Sequence, residues 1–203
     1  MGAPTYQLNI IKGKTLSKSL LYAEDSLTYV PIVAVTNRAP LQIRCPAHGI
    51  KDGWPVRIQG VTSPAVMNTE EGKFLNARVV DANTIEFNTL DATLWGVIEE
   101  TGNIVFYTPA DVTGWKLRMH VRDKPNGTIL LSFSSDVVDA AVGSITVDPA
   151  AATFTLGLTA AQTAALTWNG GVYDIEAIKP DGTVIEIIST SVVIVSQEIT
   201  VWS

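Results

Sequence analysis

The sequence is poor in the residue types on which most protein chemistry depends. Of its 203 residues only one is cysteine, Cys45, and two are histidine, His48 and His120. A single cysteine excludes an intramolecular disulfide framework and every zinc site built on several cysteines. The GxSxG, P-loop, GxGxxG and HExxH patterns are missing as well. We therefore expect no catalytic residue, no metal site and no cofactor, in a protein that is not an enzyme.

Charged residues are also scarce, at 17% of the chain against 46% hydrophobic residues. Acidic residues outnumber basic ones by 20 to 14, whereas neutralising nucleic-acid phosphates requires a surplus of Lys and Arg. No apolar run approaches the ~18–20 residues that cross a bilayer, and no secretory leader is expected from the N-terminal sequence. The composition predicts a folded chain with no nucleic-acid or membrane partner.

Short alternating runs, separated by Gly, Pro, Asn and Asp, recur along most of the chain. The clearest covers residues 115–122, where apolar and basic side chains point to opposite faces of a strand. Turn signals every ~8–12 residues are typical of a β-sandwich or barrel. The sequence thus predicts an all-β protein.

Turn residues predict two hairpins. Asn126 and Gly127 are the preferred pair for a type I′ turn, which would join the 115–122 strand to a partner at 128–134. With Thr128 they also form an N-glycosylation sequon, an alternative explanation of the same residues. Residues 144–147 and 153–158 alternate on either side of a turn and predict the second hairpin.

One short connector helix is expected at 159–166, where Thr159 can cap the N-terminus and alanines favour helix. Strands should follow at 172–178 and 184–188, and a last strand at 191–201. Tyr173 is either a corner tyrosine whose hydroxyl fixes the crossover or an ordinary half-buried strand residue.

A long interval separates an early predicted strand, at 15–22, from the strand at 115–122. It carries its own turns, strands and aromatic residues, enough for a small core. An insertion of this kind is tolerated in a surface loop. We therefore predict an Ig-like β-sandwich built from residues 1–31 and 108–203, with a small β-barrel domain, residues 32–107, inserted in an early loop.

The outer part carries an ordered set of motifs. They are KGK at 12–14, ADVTGWKLRMHVR at 110–122, LTAAQTAAL at 158–166, GVYDIE at 171–176 and PDGT at 180–183. In this order they resemble the N-terminal β-sandwich of the phage baseplate upper protein family, a domain common in tailed bacteriophages. Val112 stands where that family usually has leucine.

The inserted part carries AHGI at 47–50, DG at 52–53, VRIQGV at 56–61 and VVDANTIEF at 79–87. These motifs resemble a β-barrel module that is repeated in phage structural proteins. The module is described by its similarity to the first catalytic-cysteine half-domain of ubiquitin-activating enzymes. That similarity is one of fold, so it implies no ubiquitin chemistry and supplies no catalytic residue.

Together the two resemblances imply a non-enzymatic structural component of a tailed-phage virion, assembled in the bacterial host cytoplasm. It would be an adaptor in the tail, baseplate or collar region that docks by its sandwich and projects the barrel. The implied partners are other virion structural proteins and copies of the chain itself, as a homo-oligomer. A capsid-surface decoration protein is the alternative from the same resemblance.

Two strands of the sandwich are candidates for such protein contacts. The basic stripe on the 115–122 strand either meets an acidic partner or is simply solvated. The last strand is rich in β-branched residues on both faces, more than a small domain usually covers alone. The predicted contact residues are Lys116, Arg118, His120 and Arg122 on the first strand, and Val192, Ile194, Ile199 and Trp202 on the last.

Cys45 and His48 each admit a chemical and a structural interpretation. His48 is either a metal ligand or general base, or a side chain that caps a turn carbonyl; with Cys45 it would supply only two of the about four ligands of a structural zinc. Cys45 is either a nucleophile or a buried thiol.

Exposed aromatic residues would favour a third function, a carbohydrate- or receptor-binding module with a host glycan as ligand. Each candidate residue can equally belong to a core or an interface. The candidates are Trp54, Trp95, Tyr107 and Trp202.

Overall fold

A computed structural model describes residues 3–139 and 141–199 and confirms the all-β class. A 3-10 turn (Ala65–Met67) and a short helix α1 (Ala160–Ala164) accompany the strands, and no helix in these ranges is long and apolar enough to cross a membrane. In chain order the strands are β1 (Leu8–Ile11), β2 (Leu16–Leu21), β3 (Ala23–Pro31), β4 (Ala34–Arg38), β5 (Leu41–Arg44), β6 (Trp54–Gln59), β7 (Leu75–Asp81), β8 (Thr84–Phe87), β9 (Asn103–Pro109), β10 (Lys116–Arg122), β11 (Ile129–Ser134), β12 (Gly143–Asp148), β13 (Thr153–Leu158), β14 (Gly170–Ile178) and β15 (Val184–Ser196).

The chain divides into two compact units. The first combines the chain up to Tyr22 with the chain from Asp111 onward, and the second is Ala23–Ala110. These boundaries differ from those predicted at 31/32 and 107/108, because β3 pairs with β9 along its length and so belongs to the second unit. The segment directly after Tyr22 is the beginning of β3.

The first unit is a two-layer sandwich. Its eight strands follow the order β1-β15-β14-β10-β11-β12-β13-β2, in which β11 and β12 share only two residue pairs. β1 and β2 are consecutive in the chain, yet they pair with β15 and β13 at opposite ends of this order. The chain therefore crosses directly between the two ends, so the strand order folds back on itself and encloses a core.

The alternation predicted for residues 115–122 is confirmed in β10. Leu117, Met119 and Val121 are buried, while the residues between them face outward. Trp115 lies just before the strand, with its ring centroid 5.4 Å from that of Tyr22 and 6.2 Å from that of Phe154.

The hairpin between β10 and β11 forms as predicted, but the prediction of a type I′ turn is wrong. The Gly127 N–H donates to the Lys124 carbonyl at 2.9 Å. Of the predicted central pair only Asn126 has a positive φ, 59°. Pro followed by Asn at the two central positions is typical of a type II turn. The two central residues of the turn are therefore Pro125 and Asn126, one residue earlier in the chain than predicted.

The second hairpin and the connector helix are confirmed. β12 and β13 pair antiparallel, from Ser144 opposite Gly157 to Asp148 opposite Thr153. Helix α1 begins with a capping box, in which Thr159 Oγ1 accepts from the Gln162 N–H and Gln162 Oε1 accepts from the Thr159 N–H.

The two final strands predicted at 184–188 and 191–201 are one continuous strand, β15. It pairs with β14 along its length, and a bulge beside Ile187 and Ile188 keeps both residues buried. A hairpin is therefore formed by β14 and β15.

Tyr173 is a buried anchor, although it does not fix the crossover. Its hydroxyl donates to the backbone carbonyl of Tyr6, in the segment before β1. Burial raises the pKa of Tyr173 to about 12, so the hydroxyl stays protonated and able to donate. The ordinary half-buried alternative is excluded, and the element that the hydroxyl fixes is the N-terminal segment.

Replacing Tyr173 by Phe should lower the free energy of unfolding by about 1–2 kcal/mol, because the Tyr6 carbonyl loses this donor while the ring remains. Urea unfolding of the first unit measures the loss. Tyr6→Phe is the control, since it keeps the carbonyl and should leave stability nearly unchanged. Equal stability of both variants would contradict the anchor.

The second unit is a nearly closed barrel. Its seven strands follow the order β3-β9-β6-β7-β8-β5-β4. The strands at the two ends of this order, β3 and β4, are joined through Ile32 and Val33, whose N–H groups donate to the Gly102 and Arg44 carbonyls. One bent stretch of chain therefore pairs with both ends of the sheet. The core inside includes Trp54, Ile58, Phe87 and Phe106.

Candidate interaction surfaces

His48 caps a turn, as its structural interpretation predicted. It is buried, its Nδ1 accepts from the Ile50 N–H at 3.0 Å, and its Nε2 lies 2.8 Å from the Asp81 carbonyl oxygen. Because Nδ1 accepts, the proton must lie on Nε2, which donates to Asp81. Both ring nitrogens are thus used by the fold, and neither is left for a metal or for proton transfer.

Cys45 is a buried thiol. Its side chain is completely inaccessible, and its Sγ lies 3.9 Å from the Ile43 carbonyl oxygen. Burial, with a smaller contribution from the charge of Asp81, raises the pKa of Cys45 to about 12. The thiolate needed for a nucleophile is therefore disfavoured.

The folded chain should resist a thiol reagent at about pH 8, a condition under which an ordinary cysteine near pKa 8.5 reacts readily. We expect Cys45 to react with Ellman's reagent at least about 1,000-fold faster in guanidinium chloride than in the native state, since reaction requires unfolding. A native rate within about tenfold of the unfolded rate would contradict this burial.

The predicted basic stripe lies on β10, but two of its basic side chains form ion pairs with aspartates of the same chain. Lys116 Nζ lies 2.8 Å from Asp136 Oδ2, and Arg118 donates to both carboxylate oxygens of Asp139 at 3.0 Å. The hydrogen bond from Lys116 is the main reason that the pKa of Asp136 is lowered. A stripe neutralised in this way attracts an acidic partner only weakly.

The other two residues of the stripe, His120 and Arg122, are less exposed than Lys116 and Arg118. Arg122 donates to the Gly127 carbonyl at 2.6 Å, within the hairpin turn. His120 is half-buried and lies in register between Ser132 of β11 and Asp174 of β14. His120 is therefore flanked by a polar and an acidic neighbour.

Next to the stripe, the outward side of β14 and β15 is acidic and apolar. Glu176 lies directly opposite Glu186, a like-charge pair that is unfavourable by itself. Neither these two nor Asp174 makes an ion pair within the described residues. Val192 and Ile194 follow along β15 and are 50% and 41% exposed. These five residues are termed the β14–β15 face below.

The remaining two predicted contact residues lie beyond β15. Ile199 is almost completely exposed. Trp202 lies outside the described residues. The structure thus brings Val192 and Ile194 together with three acidic residues that the sequence analysis did not single out.

An open groove of about 710 Å³ lies in the first unit between β12 and the loop that carries Asp136 and Asp139. Its apolar lining includes Trp115, Val142 and Ile145. Both aspartates of the groove are already engaged by β10. The groove therefore offers apolar contact rather than a reactive group.

The aromatic residues that were candidates for ligand binding differ in how far they are buried. Trp54 is a core residue, buried inside the barrel with its Nε1 donating to the Tyr107 carbonyl at 2.9 Å. Trp95 is half-buried, whereas the Tyr107 side chain is exposed. Tyr29 and Phe74, which the sequence analysis did not propose as ligand-binding residues, are 58% and 45% exposed.

No group of three or more His, Cys, Asp or Glu side chains is placed to hold a metal ion within residues 3–139 and 141–199. No protein-family model matches the chain, and no curated protein matches it.

Proposed function

We propose that the chain is a non-enzymatic structural component of a tailed-phage virion, an adaptor in the tail, baseplate or collar region. The β14–β15 face carries this proposal, because exposed apolar side chains on the same face as acids that make no ion pair within the described residues suit attachment to another protein. The ordered motifs of the outer part support a phage particle as its setting. Those at 110–122, 158–166 and 171–176 fall on β10, α1 and β14.

The partner at this face is a different particle protein with a basic surface. A symmetric contact between two copies would place Glu176 and Glu186 against the same residues of the other copy, at a cost of several kcal/mol. The chain also carries a net charge of −6, which disfavours copy-to-copy contact through an acidic patch. A basic partner relieves the repulsion within the face and covers Val192 and Ile194.

Immunodetection on purified tailed particles tests the proposal. An antibody against the chain should detect it in density-purified particles from the source culture, and gold labels should mark a fixed position on the tail. Labels on the head would replace the tail position by the capsid-decoration alternative. Detection only in the soluble fraction, with intact particles free of the chain, would overturn the virion proposal.

A further inference from the structure

The outward side of β3, β9 and β6 in the second unit carries a row of large side chains. The strand registers place Tyr29, the completely buried Val105 and Arg57 side by side across three strands. Phe74, just before β7, continues the row, with its ring centroid 5.5 Å from the Arg57 guanidinium carbon. Tyr107, two residues after Val105 on β9, faces the same side. We call this surface the aromatic face.

Unengaged amide side chains share the aromatic face. Gln59 pairs with Asn103 in the next row, and Asn76 lies opposite Pro55. None of these three amides makes a side-chain hydrogen bond within the described residues. Each therefore offers both a donor and an acceptor to a polar ligand.

Arg57, at the centre of the row, has no carboxylate partner within the described part of the chain. Its Nε is buried and makes no hydrogen bond with any described residue. A buried donor without an acceptor is unfavourable, and such a group in a folded protein calls for an explanation. A ligand with a carboxylate would supply the opposite charge at the guanidinium.

We propose that the aromatic face binds an oligosaccharide that carries carboxylate groups. Tyr29, Tyr107 and Phe74 present ring faces to the apolar C–H faces of the sugar rings, the amides bond sugar hydroxyls, and the Arg57 guanidinium pairs with a carboxylate. Strand spacing places Tyr29 and Phe74 about 14 Å apart, which suits several linked rings. This inference does not rest on a virion location.

Two other ligand classes fit the aromatic face less well. A protein partner that covered these rings would also bury the three unengaged amides and would have to satisfy each of their hydrogen bonds. A single-stranded nucleic acid needs a basic groove along its backbone, and Arg57 is the one cation in the row, in a chain of net charge −6. Sugar recognition uses aromatic, amide and guanidinium groups together.

Calorimetric titration of the full chain with trigalacturonate and with its methyl ester tests the proposal. The acid should bind, and the ester should bind at least about tenfold more weakly, because it lacks the charge that pairs with Arg57. Tyr29→Ala and Phe74→Ala should each weaken binding of the acid by about tenfold or more. Arg57→Gln should bind the acid and the ester equally.

Val80→Ala is the matched control, since Val80 is exposed in the same unit on β7, away from this row. It should bind the acid like the unmodified chain, and circular dichroism should show every variant folded. Three results would overturn the proposal: no binding of either saccharide, unchanged binding in folded Tyr29→Ala and Phe74→Ala, or equal binding of pentaglutamate, which would show charge attraction alone.

Discussion

A chain with Val192→Asp and Ile194→Asp is expected to fold normally and to be lost from particles. Both side chains point outward from β15 while Val193 between them is buried, so the substitutions leave the core untouched. In a covered contact, the two added carboxylates would have to lose their hydration where the partner now covers apolar side chains. We expect incorporation to fall at least about 100-fold, measured by quantitative immunoblotting of purified particles.

Val137→Asp with Val138→Asp is the matched control. It makes the same chemical change at two almost fully exposed residues that follow β11, outside the β14–β15 face. This variant should enter particles at the unmodified level. Normal incorporation of the Val192/Ile194 variant, or equal loss of both variants, would show that the β14–β15 face is not the docking surface.

Gly102→Ala should be the most destabilising small substitution in the second unit. Gly102 has a φ of +83°, and an added Cβ would meet the Gln59 carbonyl oxygen and lie 2.7 Å from the Val61 nitrogen. These are backbone atoms that cannot rotate away. The Gly102 carbonyl also accepts a hydrogen bond from the Ile32 N–H where the barrel closes. The free energy of unfolding should fall by at least about 3 kcal/mol.

Gly72→Ala separates the clash from the backbone strain. Gly72 has a similar φ of +74°, but an added Cβ there would meet nothing within 4 Å. We expect a loss of about 1–2 kcal/mol, the cost of a left-handed conformation alone. Urea unfolding of the second unit measures both variants. Equal losses would contradict the close approach of backbone at the barrel closure.

Local patterns in the sequence predicted local structure well. The alternation of β10 needs only the two-residue period of a strand, and the N-cap of α1 needs only Thr159 before a run of alanines. The prediction of the turn type after β10 was wrong for an equally local reason. Pro125 and Asn126 form a type II turn in preference to the type I′ turn that Asn126 and Gly127 favour.

Pairing between distant segments could not be predicted from these patterns. Nothing near Ala23 indicates that β3 pairs with β9, and this pairing fixes the unit boundary. Likewise the pairing of Arg118 with Asp139 depends on where the loop after β11 returns. The aromatic face is a third case, because Tyr29 and Arg57 meet only through the register of β9 between them.

A cryo-EM map of the parent tailed particle tests the central claim most directly. The account predicts repeated density that fits the first unit on the tail, with Val192 and Ile194 buried against a different protein whose surface is basic. A map at side-chain detail in which the chain has no density, or in which Val192 and Ile194 face solvent in every copy, would contradict it.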